Sequence, residues 1–149
     1  MALTVLTVLI IYLVLRTRIN ASPLSQIKMV LRKSQYNEYT RYIVNQMNLE
    51  SGYLTNTLSQ APIYNPWSMS TVRIRPTTQI DSYSNPDIDE GQSFGVYEDY
   101  IGATEDIILY LDYVRIPSGL DCQGYNKFIA NQGYSVTGNY EQLLNTMCK

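Results

Sequence analysis

The sequence contains no histidine, and so lacks the commonest general base, the usual partner of a catalytic serine or cysteine, and the commonest transition-metal ligand. Cysteine is nearly as scarce, with only Cys122 and Cys148, both near the C-terminal end. Such a pair reads as one disulfide formed in an oxidising compartment, with two unpaired buried thiols as the alternative. Closing that loop would stabilise the fold by roughly 3 kcal/mol. Charge is thin as well, at 16% of residues and a net −2. It is unevenly placed: residues 1–75 hold eight Lys/Arg against Glu38 and Glu50, whereas residues 76–149 hold three against eleven acids. Opposite blocks can attract neighbouring copies, or can be two ordinary solvated faces. The acidic balance, with basic residues beside an apolar segment, argues against nucleic-acid binding.

What is present begins with an apolar run. The 149 residues suit one domain. Residues Ala2 to Leu15 carry no charge, Gly or Pro, so a continuous helix is expected, with Leu3, Val5, Leu6, Val8, Leu9, Ile10, Ile11, Leu13, Val14 and Leu15 apolar around its circumference. As a helix the run spans roughly 21 Å, short of a hydrocarbon core of roughly 30 Å, and snorkelling by Arg16 and Arg18 can extend it. Positive charge follows the run instead of preceding it, the reverse of a cleaved signal peptide. The positive-inside rule would then hold the remainder in the cytoplasm, while the cysteines point outside. A basic leader removed ahead of Met1 would reconcile the two. The chain therefore divides into residues 1–22, a membrane or filament-core helix, and residues 23–149, a globular head.

From Pro23 the pattern turns amphipathic: Leu24, Ile27, Leu31, Tyr39, Ile43, Met47, Leu54 and Leu58 recur at steps of three, four or their sums, which predicts a helix ended by Pro62 and Pro66. Ser22 before Pro23 suits a cap at which the helix restarts or bends. Strands are expected at residues 71–75, 93–97, 107–114 and 134–137, with a loop over residues 76–92. Ser118 followed by Asp121 resembles a capping pair that opens a short helix through Asn131, stopped at Gly133, and residues 140–147 form a final helix or turn delivering Cys148 to Cys122. The expected fold class is α+β, a long N-terminal helix on a small antiparallel sheet with a disulfide-bounded C-terminal region.

Asn65-Pro66-Trp67, Val114-Arg115-Ile116-Pro117, and the cysteine-bounded segment from Cys122 to Cys148, in that order after an apolar start at Met1, resemble type IV pilins, and among them the type IVb branch and its minor pilins. The resemblance implies a non-enzymatic subunit of an extracellular pilus filament, inserted in the bacterial inner membrane before assembly. Its implied partners are copies of itself or other pilins and the pilus assembly machinery, with no cofactor. Val5 stands where the family usually places a Glu, which favours a minor or tip pilin, or a secretion-system pseudopilin.

Other readings are set beside this one. Asn85, Asp87 and Asp89 followed by Gly91 offer oxygen ligands for calcium, against which a solvated acidic loop is favoured. The fourteen tyrosines suit carbohydrate contact or packing. Glu98, Asp99, Glu105 and Asp106 offer an acid pair for glycoside hydrolysis, against which solvated turns at strand ends are favoured. A membrane-anchored periplasmic binding module and a hydrolase are the alternatives of other classes.

Overall fold

The structure, a computed structural model, describes residues 21–84, 92–135 and 137–148. The expected core helix, with its residues from Leu3 to Leu15, and the calcium candidates Asn85, Asp87 and Asp89 lie outside the described residues.

Helix α1 (Pro23–Lys33) opens where the Ser22 hydroxyl accepts from the Ser25 amide at 3.3 Å, with Pro23 in the first turn and Arg32 and Lys33 in the last, where cations complement the helix dipole. It does not run on. The Ser34 hydroxyl donates to the Leu31 carbonyl at 2.8 Å and accepts from the Tyr36 amide at 3.1 Å, offering the backbone a local alternative to the next helical turn. A 3₁₀ turn (Asn37–Tyr39) leads into helix α2 (Thr40–Ser51), which stops at Gly52 in the left-handed conformation, φ +56°. The single long helix expected from Pro23 to Leu58 is thus two short ones.

A second correction falls on residues 107–114, read as a strand. They form the C-terminal half of helix α3 (Tyr100–Val114), capped by Asp99, whose carboxylate accepts from the Gly102 amide at 2.8 Å. Ala103, Ile107 and Leu111, four residues apart, are fully buried. The run is apolar at odd and even positions alike, so alternation could not separate strand from helix, and the cap and fifteen-residue length decide it.

The sheet is small. Strand β1 (Asp81–Tyr83), within the expected loop, pairs antiparallel with β2 (Phe94–Val96), placing Asp81 opposite Val96, Ser82 opposite Gly95 and Tyr83 opposite Phe94. Gly95 is required by close approach, since a Cβ there would lie 2.4 Å from the Gln79 side chain. Residues 71–75 are not a strand, although Ser70 bridges Phe94, and no strand forms at 134–137 among the described residues.

Helix α4 (Cys122–Asn131) is capped by Asp121, and helix α5 (Tyr140–Asn145) packs beside it. A disulfide joins Cys122 to Cys148 with Cα atoms 5.8 Å apart, and Asn45 of α2 donates to the Met147 carbonyl at 2.9 Å. Replacing both cysteines by Ser should lower unfolding free energy by about 2–4 kcal/mol, read from the urea midpoint.

The core brings together Ile27 and Leu31 of α1, Ile43 and Met47 of α2, the buried face of α3, Tyr125 and Ile129 of α4, Leu144 of α5 and the fully buried Trp67. The expected architecture, one long helix lying on a sheet, is therefore replaced, among the described residues, by five short helices around a common core with a two-stranded sheet at its side.

Candidate functional site: an acid at the end of an aromatic groove

Glu50 lies in the last turn of α2, seven residues after Ile43 and three after Met47, on the stripe that faces the core. A carboxylate there is doubly disfavoured. Burial disfavours its charged form, and so does the partial negative charge at a helix C-terminus. Its pKa is raised above the ordinary carboxylate value, burial being the main cause, and the Tyr140 hydroxyl only partly opposes the shift. No neighbouring carboxylate contributes among the described residues.

The chain around Glu50 is held by polar side chains. Asn56 donates to the Glu50 carbonyl at 2.8 Å, and its own carbonyl oxygen accepts from the Ser59 amide at 2.9 Å, folding the segment after α2 back onto its end. Tyr53 and Leu54 continue the left-handed turn of Gly52, with φ +61° and +66°. These are sparsely populated conformations for residues with side chains, of the kind that collects at functional sites. Asn65 then clamps the next stretch: its amide nitrogen donates to the carbonyls of Met69 at 2.8 Å and Gly95 at 2.9 Å, and its oxygen accepts from the Met69 amide at 2.9 Å. Trp67 is fixed by its indole N–H to the Ile43 carbonyl at 3.2 Å.

Aromatic rings connect this acid to a groove. Tyr140, on the first turn of α5, stacks with Tyr134 at 6.1 Å between centroids, and Tyr134 meets Tyr110 edge-on at 5.3 Å. The Tyr134 hydroxyl donates to the Trp67 carbonyl at 2.6 Å. Burial pushes the pKa of that hydroxyl well up, and the Glu50 charge adds to the effect, although part of the residue reaches the groove surface. Burial likewise raises Tyr110, to about 12. Two buried donors at the Glu50 end, the Tyr140 hydroxyl and the Gln46 amide nitrogen, have no hydrogen-bond partner of normal geometry among the described residues. Tyr140 nevertheless lies near enough to Glu50 for each to shift the other. Gln46 is held in place by its oxygen, which accepts from the Tyr125 hydroxyl at 2.9 Å.

The groove itself, of about 440 Å³, runs from Ser68 and Tyr134 along residues 69–75 to Tyr110 and Tyr113. Its wall is anchored from behind. Arg75 donates through both terminal nitrogens to the Asp106 carboxylate, at 2.9 and 3.0 Å, and the Tyr97 hydroxyl donates to the same carboxylate at 2.7 Å. Arg75 and Asp106 are 4% and 0% exposed. Burial alone would raise the Asp106 pKa; hydrogen bonds from Arg75, Tyr97 and Thr77, and the Arg75 charge, outweigh it and hold the carboxyl below its ordinary value. Gln79 completes the network, donating to Ser70 and accepting from the Val72 amide at 3.0 Å.

The acids weighed from sequence do not meet at Glu50. Asp99 caps α3, Asp106 is spent on Arg75, and Glu98 and Glu105 are exposed. The disulfide ties α4 to the chain end beyond α5, the helix that carries Tyr140. Glu50 and Tyr134 were missed as site residues. The available signal was an acid in register with an otherwise apolar stripe, because a buried polar residue is the informative exception in such a pattern.

No protein-family model and no curated protein sequence matches the chain. Solved structures do. The chain is similar to a type VI secretion system effector-immunity complex from Pseudomonas protegens with a TM-score of 0.64, at 14% identity over 89% of this chain and 93% of that one. It is similar to the catalytic domain of the autolysin Auto from Listeria monocytogenes with a TM-score of 0.55, at 20% identity over 89% and 81% of the two chains. A peptidoglycan hydrolase from Sphingomonas sp. A1 matches with a TM-score of 0.56, at 18% identity over 74% of each chain. The pilin resemblance is overturned by these likenesses, and with it the filament subunit, its minor-pilin and pseudopilin variants, the pilin and assembly-machinery partners, and the inner-membrane and pilus location, all of which rested on that fold. The expectation of a non-enzymatic protein is corrected on the same ground, since this fold carries hydrolases among its neighbours. Among the described residues no helix is long and apolar enough to cross a membrane. The fold of this chain is the one it shares with an autolysin catalytic domain, a peptidoglycan hydrolase and a type VI effector complex.

Proposed function

We propose that this chain hydrolyses glycosidic bonds of peptidoglycan, with Glu50 as the proton donor. The observation that carries the reading is a carboxyl whose pKa is raised by burial, linked through the stacked rings of Tyr140 and Tyr134 to a tyrosine-lined groove. The polymer is suggested by the neighbours, two of which are named as an autolysin and a peptidoglycan hydrolase. Peptidoglycan offers amide and glycosidic bonds, and the residues favour the second. A Cys–His nucleophile cannot be assembled from a sequence without histidine whose two cysteines are paired with each other. Glycosidic cleavage needs instead a carboxylic acid whose pKa is raised toward the working pH, and burial shifts Glu50 in that direction.

In that reaction Glu50 gives its proton to the glycosidic oxygen as the bond from that oxygen to the anomeric carbon breaks. The bonding electron pair leaves with the oxygen, water adds to the anomeric carbon, and the water's surplus proton returns to solvent. Tyr134 and Tyr140 keep Glu50 within an apolar wall, and the unpaired Tyr140 hydroxyl and Gln46 amide supply donors for sugar oxygens or the attacking water. Incubating the protein with purified sacculi should release fragments bearing new reducing sugars and no new amino groups. New amines without reducing ends would refute the reading.

A further inference from the structure

The groove beyond Glu50 has a composition that the cleavage step alone does not explain. Thirteen of the described residues line it and none of these is an acid. Of its two arginines, Arg75 is neutralised by Asp106, whereas Arg73 is exposed and forms no ion pair among the described residues. The groove therefore presents one uncompensated positive charge. Beside it stand the exposed Tyr113, 52% accessible, and Ile74, 80% accessible, with Tyr110 continuing the aromatic floor toward Tyr134 and Glu50. An exposed tyrosine and isoleucine on a groove wall offer flat apolar area for a pyranose face, and a neighbouring guanidinium matches a carboxylate in two-pronged geometry.

We infer that this groove is a subsite for a carboxylate-bearing sugar, with Tyr113 packing on the ring and Arg73 taking the carboxylate, so that the protein selects acidic glycan over neutral glycan of the same length. The inference rests on the glycan-hydrolase reading and adds a specificity determinant to it. In peptidoglycan the carboxylate has two alternative sources, the lactyl group of a muramic acid that carries no peptide and, where a peptide is joined to that group as an amide, the peptide's own carboxylates. Both present the same group to Arg73. The segment that carries Arg73 is fixed by the Arg75–Asp106 pair and by Gln79, so the charge is held at the groove without being buried. An exposed charge pair is worth little, so the selection is modest, roughly two- to fivefold, and it weakens as salt screens it.

The test measures binding of the full chain carrying Glu50→Gln to three probes: a disaccharide–peptide, the same disaccharide with the peptide removed, and an N-acetylglucosamine oligomer, which has no carboxylate. Both acidic probes should bind more tightly than the neutral one, and adding Arg73→Gln should abolish the difference. Tyr113→Ala should weaken all three by about two- to tenfold. A disaccharide–peptide that outbinds its peptide-free form assigns the contact to a peptide carboxylate, a peptide-free form that outbinds the disaccharide–peptide assigns it to the lactyl carboxylate, and equal binding shows that Arg73 takes either. Equal affinity for all three probes, no binding of any, or a preference that survives Arg73→Gln overturns the inference. Hydrolysis of sacculi by the unmodified chain is scored separately. Cleavage without preference defeats only the subsite, and preference without cleavage defeats only the hydrolase reading. Unchanged melting temperatures for both surface variants exclude misfolding as the cause.

Discussion

Glu50→Gln should lower the rate of sacculus hydrolysis by about 10²- to 10⁴-fold, the range general acid catalysis supplies, while leaving the protein folded and slightly more stable at neutral pH. The two halves of this expectation have one cause. Burial raises the Glu50 pKa, so between its unfolded value, about 4.3, and its higher folded value the native state binds more protons than the unfolded chain. Stability accordingly falls as pH rises through that window and levels off above the folded pKa. Glutamine keeps the shape and never ionises, so it escapes that loss. Activity of the unmodified protein should fall on the alkaline side of the same folded pKa, because only protonated Glu50 can donate. A rate profile for kcat and a melting curve against pH, taken on both proteins, check each half. An active Glu50→Gln variant would remove Glu50 from the chemistry.

The second large effect lies behind the groove. Arg75→Ala should destabilise the fold by about 3–5 kcal/mol, since it leaves the fully buried Asp106 charge without its partner. Replacing both residues together, as Arg75→Met with Asp106→Leu, should cost less than the single change, because no buried charge then remains unpaired. The sign with pH is opposite to that of Glu50. The folded Asp106 pKa is depressed, so its contribution is present above the unfolded value, about 3.9, and is lost as pH falls through the folded one. Urea titrations of the three variants at neutral and acid pH distinguish these cases. A single variant as stable as the unmodified protein would show that the pair does not hold the groove wall.

Local signals in the sequence located some elements and misled on others for definable reasons. Gly133 as a stop gave the end of α4, whereas its start, placed by a Ser118–Asp121 capping pair, lies one turn later, where Asp121 is itself the cap. Residues 107–114 were misread because both faces of α3 carry apolar side chains at that end, leaving no alternation or stripe to choose between. The break after Lys33 was hidden since Ser34 acts through its own hydroxyl, and the stripe from Leu31 to Tyr39 continues across it at a spacing that a helix would also allow. The uncharged run from Ala2 to Leu15 weighed most in the pilin resemblance, and it lies outside the described residues.

The candidate site was less legible still. Glu50 stood in the stripe as an anomaly, but its meaning depends on Tyr134 and Tyr140, more than eighty residues further along. Nothing local announces such a meeting. The tyrosines were assigned to packing, and the rings do pack, as one continuous row from Tyr110 through Tyr134 to Tyr140. Asp106, weighed as part of an acid pair, proved to be a structural anion satisfied by Arg75 and Tyr97.

The state of the Glu50 carboxyl can be observed directly by carbon NMR titration of protein labelled at glutamate carboxyls, with Glu50→Gln identifying its resonance. The account predicts a midpoint above about 4.3 that coincides with the alkaline limb of the hydrolysis profile. A midpoint at or below that value would mean that the acid is ionised where the enzyme has to work, and would contradict it.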